Sequence, residues 1–96
     1  MEILVTYDVS TETPAGRRRL RRVAKVCEGF GQRVQKSVFE CTVNDTQMAF
    51  LIDRLRKEID DSEDSLRVYR LMEPRQKFQM SLGRALDFDV HDPLIV

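Results

Sequence analysis

The first apolar stretch of the chain ends on an acidic residue. The segment "ILVTYDVS" (residues 3–10) supplies five residues typical of a β-strand and then Asp8. Two hypotheses account for this carboxylate. It can accept hydrogen bonds from the backbone amides of the following turn, as Asp commonly does. It can instead bind Mg²⁺, which prefers carboxylate and water oxygens as ligands.

A single carboxylate makes a weak magnesium site, but a two-fold symmetric dimer can bring two copies of Asp8 to one axis. Without a cation, two such acids repel each other, and the pKa of at least one of them rises. The metal hypothesis therefore predicts a shared site whose affinity for Mg²⁺ falls at low pH.

Basic residues are concentrated in the segment 17–36 of a chain whose net charge is zero. The concentration indicates either a solvated face or a surface for a polyanion, and phosphate contacts would make binding salt-sensitive. No base-reading pattern is present, so contacts are expected with the nucleic-acid backbone. Lys36 and Arg33 extend the patch if they point the same way as the helix cations. The basic residues of the segment are Arg17, Arg18, Arg19, Arg21, Arg22, Lys25, Arg33 and Lys36.

The remaining candidates for chemistry are weaker. Tyr7 and Phe39 lie on predicted strands, where core or interface packing is favoured over base stacking. Cys27 and Cys41 are not part of a CxxC motif or a Cys/His cluster, so a zinc site is not expected. We expect both thiols to be reduced. His91 lacks a partner that would orient it as a base, and the pair Asp87 and Asp89 could hold a cation but lies in an unpatterned segment.

The elements that must position these residues follow from periodicity and caps. A strand is predicted over 2–9, a helix from Pro14 to about residue 28 with Thr13 as its cap, and strands over about 32–36 and 38–43 with a tight turn or bulge near Ser37. A second helix begins after Asn44 or Asp45. It is followed by the solvated acidic loop "DDSED", a strand over 66–72 and a short fifth strand in "KFQMSL" (77–82).

The order βαββαβ predicts an α+β, ferredoxin-like fold in which two helices cover one face of a four-stranded antiparallel sheet. We expect one domain over residues 1–96. Both faces of the first strand carry apolar residues, so we expect a homodimer through the open sheet face, with the extension 73–96 and its "PLIV" end packing on the partner. The composition is that of a globular protein. There is no membrane-length apolar run and no leader, so a cytoplasmic protein is expected.

Several strings in the chain match a known family. The strings "VTYDVS", "RRLRRVAKVCEGFGQRVQKSVFEC", "SLRVYRL" and the terminal "DPLIV" together resemble the Cas2 family of small CRISPR-associated adaptation proteins. The resemblance covers nearly the whole chain. Phe30 stands where the family often has tyrosine.

The resemblance implies a ferredoxin-like homodimer that works with the integrase subunit of the same CRISPR system in spacer acquisition. It also implies a metal-dependent endonuclease acting on RNA or double-stranded DNA. Asp8 matches the acid that is credited with the metal, and Tyr7 and Ser37 are expected to orient groups near it. Phe39 matches a residue near the dimer cleft. The residues expected to contact nucleic acid are Arg17, Arg18, Arg19, Arg22, Arg33 and Lys36.

Three functions remain open at this stage. The first is a Mg²⁺-dependent endonuclease. The second is a non-catalytic scaffold that binds DNA and bridges integrase subunits. The third is a small-ligand regulatory domain on the same fold, which the absence of glycine-rich loops disfavours.

Overall fold

The fold was analysed in a computed structural model that describes residues 1–83. The order of elements is βαββαβ, as the sequence predicts. Strands β1 (Glu2–Asp8), β2 (Gly31–Gln35), β3 (Val38–Thr42) and β4 (Ser65–Arg70) alternate with helices α1 (Pro14–Glu28) and α2 (Asp45–Glu58). The strands form one antiparallel sheet in the order β2-β3-β1-β4. The prediction of a ferredoxin-like, four-stranded α+β fold is confirmed.

Helix starts lie where the capping residues predict them. The Thr13 side chain accepts a hydrogen bond from the Gly16 amide, and Pro14 occupies the first turn, where its missing N–H costs nothing. Asn44 and Gln47 form a capping box at the start of α2. These local bonds satisfy backbone donors that no helical carbonyl can reach.

The core lies between the two helices and one face of the sheet. Along β1, residues alternate between the faces, so that Ile3, Val5 and Tyr7 are buried under the helices while Leu4 points to the open face. Apolar residues of both helices contribute to this core. Its other fully buried side chains are Phe39 and Cys41 from β3, Val23 and Cys27 from α1, and Leu51 and Leu55 from α2.

Both cysteines are free and buried. Burial raises the pKa of Cys27 to about 12 and that of Cys41 to about 11, so both thiols are protonated at neutral pH. In the described part of the chain they pack as small apolar residues. No cluster of three or more metal-ligating side chains occurs within residues 1–83.

The hairpin of β2 and β3 contains both a tight turn and a bulge, the two features predicted as alternatives near Ser37. Lys36 and Ser37 form the tight turn, and the register shifts between Arg33 and Gln35. Because Arg33 pairs with Phe39 before the shift, its side chain points to the helix-covered face.

The prediction of a fifth strand over 77–82 is wrong. Arg75–Lys77 is a short 3₁₀ turn, and no strand follows it up to residue 83. Arg75 forms ion pairs of 2.9 Å with both Glu2 and Glu40. These contacts hold the segment against the sheet, so that Met80 lines a cavity with Leu4 instead of pairing along a strand edge. The "PLIV" end lies outside the described residues.

None of the helices in residues 1–83 is long and apolar enough to cross a membrane.

Candidate functional site

Asp8 is the last residue of β1, and its side chain is exposed. Since side chains alternate along a strand, Asp8 shares the open face with Leu4 and Thr6, and it lies opposite Ser65 of the edge strand β4. Among residues 1–83, no hydrogen bond or ion pair engages its carboxylate. This acid is therefore available to a ligand at the rim of the open face.

The turn that follows β1 is held by a different acid, Asp64. The Ser10 amide donates to Asp64 Oδ1 at 3.1 Å, and the Asp60 amide donates to Oδ2 at 2.8 Å. Arg19 adds a two-pronged pair, from Nε to Oδ2 at 2.8 Å and from Nη2 to Oδ1 at 3.3 Å. The interpretation of Asp8 as the cap of this turn is therefore wrong, because Asp64 performs that role.

The Asp64 side chain has no solvent-exposed surface. Burial works to raise its pKa, but hydrogen bonds from Arg19, Asp60 and Ser10 outweigh burial, so the pKa is lower than usual. The prediction that the whole acidic loop is solvated is wrong at this residue. Asp64 joins the β1–α1 loop, α1 and the α2–β4 loop just beside the end of β1 that carries Asp8.

Some cationic side chains of α1 form hydrogen bonds or ion pairs within the described residues, and others form none. Arg19 is held by Asp64, and Arg17 donates to the Thr11 carbonyl at 3.1 Å. Arg18 and Arg22 are exposed, and within the described residues neither forms an ion pair. The free cations of the helix thus lie on its exposed face.

Tyr7 and Phe39 lie in the core on the helix side of the sheet. Their rings stack with centroids 6.3 Å apart, and the Tyr7 hydroxyl donates to the Lys36 carbonyl at 3.4 Å. Burial raises the pKa of Tyr7, so the phenol is neutral at physiological pH. The packing interpretation of both rings is confirmed.

The structure thus separates the residues that the resemblance groups around the metal. Tyr7 and Asp8 are neighbours in sequence but point to opposite sides of the sheet. Arg33 is on the Tyr7 side, with its guanidinium 5.2 Å from the Phe39 ring centre. Ser37 and Lys36 line a depression together with Arg33, at the turn end of the β2–β3 hairpin. Asp8 alone remains at the open face.

The open face carries the apolar residues Leu4, Val34 and Val38, all partly accessible in the single chain. The segment that crosses this face adds Met80, which is 84% exposed, and Leu82, which is 87% exposed. A surface with this composition is typical of a protein contact. Asp87, Asp89 and His91 lie outside the described residues.

Comparison with known proteins identifies the family. Residues 1–80 match the family model "CRISPR associated protein Cas2". The chain is 57% identical over 96 residues, 100% of both chains, to a CRISPR-associated endoribonuclease Cas2 of Moorella thermoacetica. It is 47% identical, over 99% of both chains, to a CRISPR-associated endonuclease Cas2 of Halalkalibacterium halodurans.

A solved structure agrees with this result. The crystal structure of Cas2 from Streptococcus pyogenes superposes with a TM-score of 0.79 at 53% identity. The match covers 86% of this chain and 100% of that one.

Proposed function

The chain belongs to the Cas2 family of CRISPR-associated proteins, and we propose that it is a Mg²⁺-dependent endonuclease of CRISPR adaptation that hydrolyses phosphodiester bonds of DNA or RNA. The full-length relatives named endoribonuclease and endonuclease support this class of reaction. The observation that carries the assignment of the site is the Asp8 carboxylate, which is exposed and has no hydrogen bond or ion pair within residues 1–83, whereas the neighbouring acid Asp64 is buried and bonded.

Asp8 has the chemistry of a magnesium ligand. Its carboxylate is a hard oxygen donor that is open to water, and Mg²⁺ commonly binds one or two carboxylates and several water molecules. When bound, the ion supplies charge stabilisation at the phosphate and a more acidic water. Asp8 would hold the ion, while its strand, anchored on both sides by β3 and β4, fixes the position of the carboxylate.

A second copy of the chain completes the site in this proposal. The described part of one chain offers a single carboxylate at this position, and the apolar open face beside it suits a partner of the same shape. A homodimer through the open face brings two copies of Asp8 toward a common axis. In this arrangement the segment after β4, which Arg75 holds on its own sheet, meets the partner at the open face.

The proposed setting is spacer acquisition in the cytoplasm, with the dimer acting beside the integrase subunit of the same CRISPR system. Membership of a CRISPR-associated family supports this setting.

A cleavage assay tests the proposal. Wild-type protein is incubated with labelled RNA and with labelled duplex DNA, each with Mg²⁺ and with EDTA. Asp8→Asn, which keeps the shape but removes the charge, is expected to abolish Mg²⁺-dependent cleavage. Asp61→Asn is the matched control, since Asp61 is an exposed acid of the α2–β4 loop. Full activity of Asp8→Asn would reject the proposal.

The free cations of α1 support a second candidate, a DNA-binding scaffold that bridges integrase subunits without catalysis. Arg18 and Arg22 are exposed on one helical face, where phosphates can reach them. Duplex binding should then weaken with salt and with the double change Arg18→Ala and Arg22→Ala, but survive Asp8→Asn. Binding that ignores salt and both arginines would exclude this function.

A further inference from the structure

The open face of the sheet carries a cation close to Asp8. Arg67 lies on the edge strand β4 opposite Thr6, two residues along from Ser65, which pairs with Asp8. Residues opposite each other on paired strands point to the same side of the sheet, so Arg67 shares the open face with Asp8. We propose that Arg67 is a further catalytic residue, which donates hydrogen bonds to the phosphate that is cleaved beside Asp8. The inference rests on the proposed function for the identity of the reaction.

The register places Arg67 within reach of a group bound at Asp8. The two residues are diagonal neighbours on adjacent strands, which separates them by roughly 7–8 Å, a distance that long side chains can bridge. Both side chains are exposed, yet they form no ion pair with each other. A phosphodiester with a bound cation can contact both groups at once, the carboxylate through the cation and the guanidinium through a phosphate oxygen.

Tyr69 orients the guanidinium of Arg67. Its hydroxyl accepts a hydrogen bond of 3.2 Å from Arg67 Nη1, and its register opposite Leu4 places it on the same open face. This bond uses one of the five N–H groups of the guanidinium, so the others are left for a ligand. Tyr69 is therefore a positioning residue, because it contacts Arg67 and not the phosphate.

Arg67 is the one cation among the strand residues that the structure describes on the open face. Arg75 reaches this face from the segment after β4, but it is paired with Glu2 and Glu40. The segment 79–83 lines a cavity with residues of β1, β2 and β3, so the β4 side of the face stays exposed. The same end of the face thus presents a carboxylate and a guanidinium that are both without an ion pair in the described part of the chain.

The proposed reaction needs charge stabilisation at the phosphate. A water oxygen forms a bond to phosphorus, and the bond to the leaving oxygen breaks with its electron pair on that oxygen. The water gives a proton to solvent, and the leaving oxygen takes one from solvent. In the transition state the phosphate oxygens carry negative charge, to which Arg67 donates paired N–H groups while it keeps all of its own protons.

Cleavage kinetics with Mg²⁺ test the role of Arg67. Arg67→Gln should lower kcat about 100-fold and change KM by less than about 3-fold, since a transition-state donor is lost. Arg67→Lys keeps the charge but not the paired donors, and it should lower kcat about 10-fold. The matched control is Arg70→Gln, which removes an exposed arginine of the same strand from the helix side of the sheet. Equal kcat values of Arg67→Gln and the control overturn the proposal.

Two further measurements separate catalysis from assembly and from general structure. Arg67→Gln should sediment as wild type does at the concentration of the assay. Loss of activity that follows loss of the dimer would make Arg67 an interface residue and overturn the proposal. Tyr69→Phe should lower kcat about 3-fold in wild type but not in the Arg67→Gln background, because it acts through Arg67. An equal loss in both backgrounds would overturn the positioning role.

A dinucleotide with a methylene group in place of the bridging oxygen gives a readout without cleavage. In ¹⁵N-labelled protein with Mg²⁺, the Arg67 Nε–Hε resonance should shift and saturate on titration, while the Arg70 resonance stays in place. An Arg67 resonance that ignores the dinucleotide overturns the proposal, whatever the outcome at Asp8. Conversely, an active Asp8→Asn enzyme would reject the metal site and leave the comparison of Arg67 with Arg70 intact.

Discussion

Two aspartates at the same end of the sheet show how differently one residue type is used in this chain. Asp8 ends β1, and Asp64 immediately precedes β4, whose first residue, Ser65, pairs with Asp8. The Asp64 side chain is inaccessible to solvent and accepts bonds from Ser10, Arg19 and Asp60. The Asp8 side chain is exposed and unengaged within the described residues. Asp64 stabilises the loops, whereas Asp8 is free for chemistry.

Burial and hydrogen bonding distinguish a structural carboxylate, such as that of Asp64, from one that can bind a ligand, such as that of Asp8. A buried carboxylate with every oxygen bonded has no capacity left for a ligand. An exposed carboxylate at the end of a strand that is paired on both sides has a fixed position and free lone pairs. Asp64 and Asp8 should therefore differ sharply in what each contributes to folding.

The largest expected effect is that of Asp64→Asn on stability. The change leaves Arg19 without its counter-charge and weakens the bonds to the Ser10 and Asp60 amides. The free energy of unfolding should fall by about 3 kcal/mol, as expected for buried donors that lose an acceptor. Urea denaturation followed by circular dichroism measures this value.

Asp61→Asn in the same loop is the control for Asp64, because its side chain is exposed. It should alter the free energy of unfolding by no more than about 0.5 kcal/mol. Equal stability of the two variants would show that Asp64 does not hold the loops together.

Gly16→Ala tests the packing of the β1–α1 loop, which Asp64 holds, against the start of α1. A methyl group at Gly16 would collide with the backbone carbonyl of Ser10, the residue whose amide donates to Asp64. We expect a loss of about 2 kcal/mol in the free energy of unfolding, since the loop must move.

Gly29→Ala is the matched change at the other end of the helix. Its nearest contact would be an ordinary 3.4 Å from the Val26 carbonyl, and its φ of −73° suits alanine. This variant should be at least as stable as wild type. A Gly16→Ala protein of equal stability would contradict the tight packing of the loop on α1.

A smaller effect is expected from pH. The pKa of Asp64 is lower in the folded protein than in the unfolded chain, so the unfolded state binds more protons as pH falls. Its contribution to stability should be complete above about pH 4, near the unfolded pKa, and should disappear as the pH falls through the folded value. Urea midpoints from pH 6 downward should fall more for wild type than for Asp64→Asn. Parallel curves would contradict the assignment.

The smallest effect is that of Asp8→Asn on stability. Because its carboxylate is unengaged within residues 1–83, its removal should change the free energy of unfolding by less than about 0.5 kcal/mol. Thermal denaturation of the variant and wild type measures this. A large loss would mean that Asp8 is structural, and the contrast with Asp64 would fail.

Sequence reasoning predicted the parts of this fold that depend on local patterns. The first strand, the helix that starts at Pro14 with Thr13 as its cap, and the second helix after Asn44 or Asp45 are each encoded within a few residues. The structure confirms all three, with Asn44 as the second cap. Alternation also places Tyr7 and Asp8 on opposite sides of a strand. The resemblance nevertheless grouped them, because a motif records proximity in sequence and not direction.

The contacts that the sequence did not reveal join residues that are far apart in the chain. Asp64 binds Ser10 across 54 positions and Arg19 across 45, and nothing distinguishes it from its acidic neighbours in "DDSED". Arg75 reaches Glu2 across 73 positions and directs the following segment over the sheet, where a fifth strand was predicted. Such pairs become visible only when the strands are assembled.

The central claim is that two copies of Asp8 share one metal site, and mixed dimers test it most directly. Wild-type and Asp8→Asn chains are mixed in equal amounts and allowed to exchange partners, and Mg²⁺-dependent cleavage is measured. If each site needs both acids, activity should fall to about one quarter of that of the same total amount of wild type, the share of dimers with two wild-type chains. Activity of about one half would show that each chain cleaves by itself, and would contradict the shared site.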